Sequence, residues 1–256
     1  MTELFNMMEN NEKIALTMMY DGAAFHGWQV QKNAVSVQGT VQDALEKVLG
    51  FRPDVSGCSR TDSGVHALMY VCHFDADGVK IPVEKLPMAI NAHLPMAASV
   101  YKAEKKPGDF HARYSALGKE YIYKIWNSPC RNPFSEGKCF FVPQYLDTDK
   151  ASFFGDEFKG KHDFSAFMSK GAKNIEDTVR TVTDFRVTRN GSEITIAVSA
   201  DGFLYNMVRI MVGTYIECAL GKLKKGDITA IINSCERARA GDTAPAHGLY
   251  LNRVFY

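Results

Sequence analysis

Nowhere in these 256 residues does an apolar run reach the ~18–20 residues that a membrane-spanning helix needs. The longest candidate, Phe203 to Leu220, is interrupted by Arg209 and Glu217. An early positive charge is missing as well: Glu3, Glu9 and Glu12 precede Lys13, the reverse of a signal peptide's opening. No sign of charge dominates, since 30 Lys and Arg face 29 Asp and Glu, and this excludes a histone-like polycation. It leaves a locally basic cleft for nucleic acid open. The six cysteines, at 58, 72, 130, 139, 218 and 235, form no CxxC and no zinc-like spacing. They read as reduced thiols, mostly buried in apolar surroundings. There is no Walker loop and no GxGxxG, so a nucleotide cofactor has no support. These absences predict a cytoplasmic protein without structural metal.

What is present is a foldable chain: 46% apolar residues exclude disorder, and the length fits one large domain or two halves sharing a core. Ile14, Leu16, Met18 and Tyr20 alternate as in a half-buried strand that ends at Asp21-Gly22. Val37, Val41, Leu45 and Val48 fall at helical spacing, with Ser36 placed as the cap and Gly50 as the stop. A strand from Leu68 to Phe74, a short helix around Leu86 to Leu94 and a strand from Ser99 to Ala103 follow. Lys105-Lys106-Pro107-Gly108 marks a boundary, so the halves are predicted as residues 1–106 and 107–256.

The second half repeats this logic. Tyr121, Tyr123 and Ile125 alternate in a strand, and residues 149–158 read as helix. Strands over Val182 to Val187 and Ile194 to Val198 join across Asn190-Gly191, a strong hairpin signal. Phe203 to Leu220 reads as an amphipathic helix stopped by Gly221. Asp227 caps a helix running to about Ala238, and Leu249 to Phe255 is a last strand. The order predicts an α+β protein with mainly antiparallel sheet. Charge is uneven, with seven Lys and Arg against three Asp and Glu in residues 101–131. Interleaved with Tyr114, Tyr121, Tyr123 and Trp126, these can hold phosphates and stack bases, or form a solvated surface.

The most unusual segment is Gly57-Cys58-Ser59-Arg60-Thr61-Asp62-Ser63-Gly64-Val65-His66-Ala67. Small polar residues between strands read as an exposed loop on a rigid frame, where functional groups tend to sit. Asp62 beside Arg60 stays ionised, which suits a nucleophile and not a general acid. Equally, Asp62 and Ser63 can form a simple Asx or Ser turn. Ser63 with His66 makes no hydrolase triad, because the members sit in one segment and no GxSxG elbow exists. His66 and His73 lack a third metal ligand at any recognisable spacing. A second odd loop, Asp21 to Gln29, carries Trp28, placed either to pack the core or to meet nucleic acid; Gly108 to Arg113 is a third.

Seven elements in order resemble the tRNA pseudouridine synthase A family. They are YDGAAFHGWQVQ (Tyr20 to Gln31), SRTDSGVHA (Ser59 to Ala67), FHARYSA (Phe110 to Ala116), KEYIY (Lys119 to Tyr123), HDFSAF (His162 to Phe167), GFLYNMVRIMVG (Gly202 to Gly213) and HGLYL (His247 to Leu251). Ser59 and Ser63 stand where that family more often has Gly and Ala. The resemblance implies isomerisation of uridine to pseudouridine at positions 38, 39 and 40 of the tRNA anticodon stem-loop, with no cofactor or metal. Asp62 matches the catalytic aspartate, Tyr121 the tyrosine against the target uracil, and Arg60 and Arg209 basic residues of the site. His66 and Leu249 fall within matched motifs and are implied as substrate contacts. Two similar α/β halves are implied, sharing a continuous, mainly antiparallel central sheet, with helices on one side and a basic cleft between the halves, in a homodimer. Arg209 lies among Met207, Val208, Ile210 and Met211, where a carboxylate partner is expected, Asp62 being the choice. Arg113 and Lys119, with Lys222, Lys224 and Lys225, read as phosphate contacts.

Overall fold

The computed structural model describes residues 12–171 and 177–256, so Glu3 and Glu9 lie outside the described residues. Two compact units account for the chain: one runs to Leu117 and resumes at Leu251–Tyr256, the other is Gly118–Tyr250. The division thus falls later than the expected break after residue 106. Hydrogen bonds explain the shift. Ala112 N–H donates to His73 Nδ1 at 3.2 Å, and the Tyr256 hydroxyl donates to the Ala112 carbonyl at 2.7 Å. Leu117 N–H donates to the Phe255 carbonyl at 2.8 Å, holding this stretch to the first unit.

The first unit holds β1 (Lys13–Tyr20), α1 (Val37–Leu49), β2 (Ser56–Gly57), β3 (His66–Asp75), α2 (Leu86–Asn91) and β4 (Ala98–Lys106). The strand order is β4-β1-β3, all antiparallel, with β2 on β3. Central β1 is buried on both faces as far as Met18, where the alternation predicted one. α1 forms as its ends dictate. The Ser36 hydroxyl accepts the Gly39 N–H at 3.2 Å, and Gly50 closes the helix at φ +82°. Val37, Val41 and Leu45 are buried, each contributing ~1.5–3 kcal/mol.

The second unit holds β5 (Gly118–Asn127), β6 (Phe140–Val142), α3 (Phe154–Glu157), β7 (Gly160–Asp163), β8 (Val179–Asn190), β9 (Glu193–Ala200), α4 (Met207–Ala219) and α5 (Asp227–Ser234). Its strand order is β5-β9-β8-β7, antiparallel, with β6 parallel on β5. Asn190 faces Glu193, leaving Gly191-Ser192 as the hairpin turn with Gly191 at φ +58°. The last strand, β10 (Leu249–Phe255), closes the chain's secondary structure, and in each unit the strands pair mostly antiparallel.

Three helices differ from their expected form. The predicted helix over residues 149–158 shrinks to α3 because its backbone closes in three-residue turns, as in Phe154 N–H to the Ala151 carbonyl. α4 starts at Met207, since Asn206 is left-handed at φ 62°, and all its residues except Arg209 and Glu217 are buried. It is a core helix, not an amphipathic one. α5 ends at Ser234 because Cys235 turns left-handed at φ 55°. Asp227 is the first helical residue and its carboxylate accepts the Lys224 N–H at 2.7 Å. Cys58, Cys72 and Cys218 are buried; Cys130 and Cys235, in a loop and at a helix end, are exposed, which corrects the expectation of mostly buried thiols.

Candidate active site

The loop that carries Asp62 leaves β2 and enters β3, and its backbone is fixed by partners distant in sequence. Trp28 N–H donates to the Thr61 carbonyl at 3.0 Å, and the Tyr20 hydroxyl and Thr61 Oγ1 lie 2.7 Å apart. The Tyr70 hydroxyl donates to the Ser59 carbonyl. Within the loop, Val65 N–H donates to the Asp62 carbonyl at 3.1 Å, and Gly64 takes φ +80°. The carbonyls of Thr61 and of Asp62 itself are therefore both bonded. Its own side is half-buried, while Arg60 and Ser63 are exposed. The loop thus closes on itself as a turn at Asp62.

Beneath it lies an aromatic pad. Trp28 stacks on Tyr70 with centroids 4.3 Å apart, and Tyr20 packs on Tyr70 at 5.5 Å and on Phe25 at 6.2 Å. Trp28 is 4% exposed, so its core role holds. Burial raises the Tyr70 hydroxyl well above its ordinary value, keeping it a donor. Glycine permits this closeness: a Cβ on Gly22 would lie 2.1 Å from the Val65 carbonyl oxygen, and one on Gly57 2.5 Å from the Trp28 ring. His66, expected as a substrate contact, is 2% exposed, and its Nδ1 accepts the Gly22 N–H at 3.0 Å. The same nitrogen lies 3.0 Å from Asp21 Oδ1.

The third odd loop forms a turn on the same unit. His111 Nδ1 accepts the N–H groups of Arg113 at 3.1 Å and Tyr114 at 3.3 Å. Burial pushes His73 down to about 4, with His111 and Lys13 nearby acting the same way. Burial also lowers His111. Arg113 is exposed.

In the second unit, Tyr121 stands on β5 opposite Val198, 7% exposed, its ring edge-on to Phe203 at 5.2 Å. Lys119, two residues earlier on the same face, is half-buried. Beside them Tyr123 is fully buried, its hydroxyl donating to the Pro245 carbonyl at 2.7 Å. Arg209 Nε donates to the Ala244 carbonyl at 2.6 Å and a terminal nitrogen to Asn206 Oδ1 at 2.8 Å. The Ala244 segment is drawn in by small residues: a Cβ on Gly213 would lie 1.8 Å from the Asp242 carbonyl oxygen. Leu249 is buried at the start of β10, and Lys222, Lys224 and Lys225 lie at or near the surface.

Sequence reasoning missed the braces. Tyr20 and Tyr70 read only as strand positions, and Asn206 reads as an interior position of the helix expected from Phe203 to Leu220. A cavity of about 280 Å³ in the second unit is lined by Lys124, Trp126, Phe134, Lys138, Glu193 and Tyr250 among others. Lys124 and Trp126 alternate on β5 with Tyr121 and Tyr123, so this space lies on the other side of the strand. Among the described residues no group of His, Cys, Asp and Glu is arranged to hold a metal, and no helix is long and apolar enough to cross a membrane.

Residues 16–115 and 156–256 match the family described as tRNA pseudouridine synthase. A tRNA pseudouridine synthase A of Ruminiclostridium cellulolyticum is 46% identical over 245 residues, covering 95% of this chain and 99% of the relative. One from a Thermoanaerobacter species is 43% identical over 243 residues, covering 95% and 99%. Among solved structures, a Cbf5-Nop10-Gar1 complex superposes with a TM-score of 0.37 at 13% identity, over 93% of this chain and 57% of that one, too loosely to bear on the fold.

Proposed function

The chain belongs to the tRNA pseudouridine synthase family, and from that premise we propose that it isomerises uridine at positions 38, 39 and 40 of the anticodon stem-loop, with Asp62 as nucleophile or base. The observation that carries this reading is a half-buried carboxylate on a loop whose backbone is bonded at Thr61 and at Asp62 itself. A side chain so held needs little reorganisation when substrate arrives.

The reaction breaks the bond from uracil N1 to ribose C1′, turns the base and joins C5 to C1′. The C5 proton leaves as N1 takes one up, so the proposed reaction loses no atom, needs no oxidant and balances without a cofactor. Extruding the base costs a few kcal/mol. Stacking on the Tyr121 ring returns ~1–3 kcal/mol. Asp62 then attacks C1′ or the uracil ring, or removes a proton; trapping of a covalent adduct separates these routes.

In this reading Arg60 and Arg209 supply positive charge to the substrate, and Arg113 and Lys119 hold phosphates. His66 and Leu249 shape the floor beneath the substrate, in keeping with their burial. The assembly we propose is a homodimer in the cytoplasm, which light scattering tests by a solution mass twice that of the chain.

Tritium release from 5-tritiated uridine in bulk tRNA tests the activity. Release by the wild-type protein, lost in Asp62→Ala, is the expected result. An unmodified tRNA bound with salt-dependent affinity but giving no release would instead reveal an RNA-binding protein without this chemistry.

A further inference from the structure

We propose that the turn from Phe110 to Ser115 is a preformed platform on which an unpaired base of the RNA substrate stacks, Tyr114 giving the ring and Arg113 the contact to an adjacent phosphate. The proposal rests on the tRNA reading above and adds a substrate contact separate from Tyr121.

Tyr114 is 76% exposed, so its ring contributes little to the core. The turn that carries it is nevertheless tied down at each of its residues from His111 to Ser115. His111 Nδ1 accepts the Arg113 and Tyr114 N–H groups at 3.1 and 3.3 Å. His111 N–H donates to Ser115 Oγ at 2.9 Å, and Ser115 N–H returns to the His111 carbonyl at 2.9 Å. From below, Ala112 is gripped at both ends of its peptide group pair, its N–H by His73 Nδ1 at 3.2 Å and its carbonyl by the Tyr256 hydroxyl at 2.7 Å. Phe110 is wedged between His73 at 5.7 Å and Tyr256 at 5.2 Å. An ordinary surface loop does not place so many bonds under one exposed aromatic residue.

The ring's setting is equally specific. It backs onto the His111 imidazole, centroids 4.4 Å apart, and the Arg113 guanidinium lies 5.7 Å from its centroid. An imidazole beneath limits where the ring can turn, so little motion is lost when a flat partner arrives. Nucleobases are such partners, whatever their sequence, because each has a π-face. A guanidinium beside the ring adds the phosphate recognition that a peptide or lipid tail does not require. The one acid adjacent in sequence, Asp109, precedes the turn and is exposed. A duplex has no free base face to offer, so the platform selects unpaired nucleotides.

The test compares wild type, Tyr114→Ala and Tyr114→Phe for binding to unmodified tRNA and to a fully paired RNA duplex across a salt series. Thermal melting first confirms that the exposed substitutions leave the fold intact. Tyr114→Ala is expected to weaken tRNA binding about 5- to 150-fold without changing its salt slope or the duplex affinity. Tyr114→Phe restores it. Arg113→Ala instead reduces the salt slope by about one. Wild-type affinity in Tyr114→Ala, an equal loss on duplex, or failure of Tyr114→Phe to rescue overturns the platform. Wild-type conversion of uridine in the same preparation keeps the outcomes apart: conversion with unaltered Tyr114→Ala binding removes only the platform, whereas no conversion removes the parent reading.

Discussion

Asp62 in the first unit rides on a loop, its short side chain fixed by backbone that Trp28, Tyr20 and Tyr70 hold in place. Arg209 in the second unit rides on a helix, yet its charged head sits several bonds from that helix and takes its place from the Ala244 carbonyl and Asn206. Both arrangements use glycine to bring backbones together. In the first, the backbone approached at Gly22 belongs to the acid's own loop. In the second, the backbone approached at Gly213 belongs to a segment that meets the arginine twice, Ala244 N–H donating to the Arg209 main-chain carbonyl at 3.1 Å and the Ala244 carbonyl accepting from its head. A short side chain inherits the precision of its backbone; a long one must be positioned a second time.

The sharpest cut at this contrast is Asp62→Asn. An amide of the same shape keeps every loop contact described here, so the fold persists while tritium release falls more than about 10³-fold. Retained turnover would mean that the loop holds something other than the reacting group. Next in size, Tyr121→Phe keeps the stacking ring and removes the hydroxyl. We expect tRNA affinity within about twofold and turnover about 10²-fold slower, the scale of a lost proton-transfer group. Equal rates confine Tyr121 to stacking.

Paired glycine variants probe the comparison itself. Gly22→Ala pushes a methyl into the Val65 carbonyl at 2.1 Å, and Gly213→Ala into the Asp242 carbonyl at 1.8 Å. Each is expected to cost about 1–3 kcal/mol of stability in denaturant titration. At matched stability loss, Gly22→Ala should lower turnover about tenfold more than Gly213→Ala, because only the former presses directly on the loop of the proposed reacting group, Asp62. Equal losses would erase the distinction between the two modes of support.

The smallest effect concerns pH. His73 holds about 4 in the folded unit against ~6.5 for a free histidine. The folded chain therefore binds fewer protons in that window, so stability is complete above ~6.5 and drains as pH falls toward 4. Melting curves at pH 7 and pH 5 should show a drop about 2–4 °C smaller in His73→Asn than in wild type. An unchanged difference removes His73 from the support of the Phe110 turn.

Much of the scaffold was legible because it follows periodicity and end signals. Ser36 and Gly50 bound α1 as their chemistry requires, and Asn190-Gly191 placed the β8–β9 hairpin to within one residue. Asp62 stood out because small polar residues between strands have few other uses. Less visible were interactions that depend on register or on backbone atoms. Tyr70 reaches the Ser59 carbonyl only because β3 is aligned on β1 with Met18 facing Tyr70. The carbonyl of Ala244 binds Arg209 whatever its side chain, so residue type could not announce it. α4 read as amphipathic because Arg209 and Glu217 were weighed as a polar face, whereas packing covers every other residue of that helix.

The first unit takes its closing residues, Leu251–Tyr256, from the far end of the sequence. On a ribosome the Asp62 loop emerges early, but the strand and the Tyr256 hydroxyl that complete its unit emerge only after the whole second unit has been made. Vectorial synthesis thus hands the nascent chain a half-finished module to keep from misassembling, while Gly118–Tyr250 has all its own strands to fold against. The long sequence separation of these contacts makes closure of the first unit a late event, one that follows the synthesis of Gly118–Tyr250.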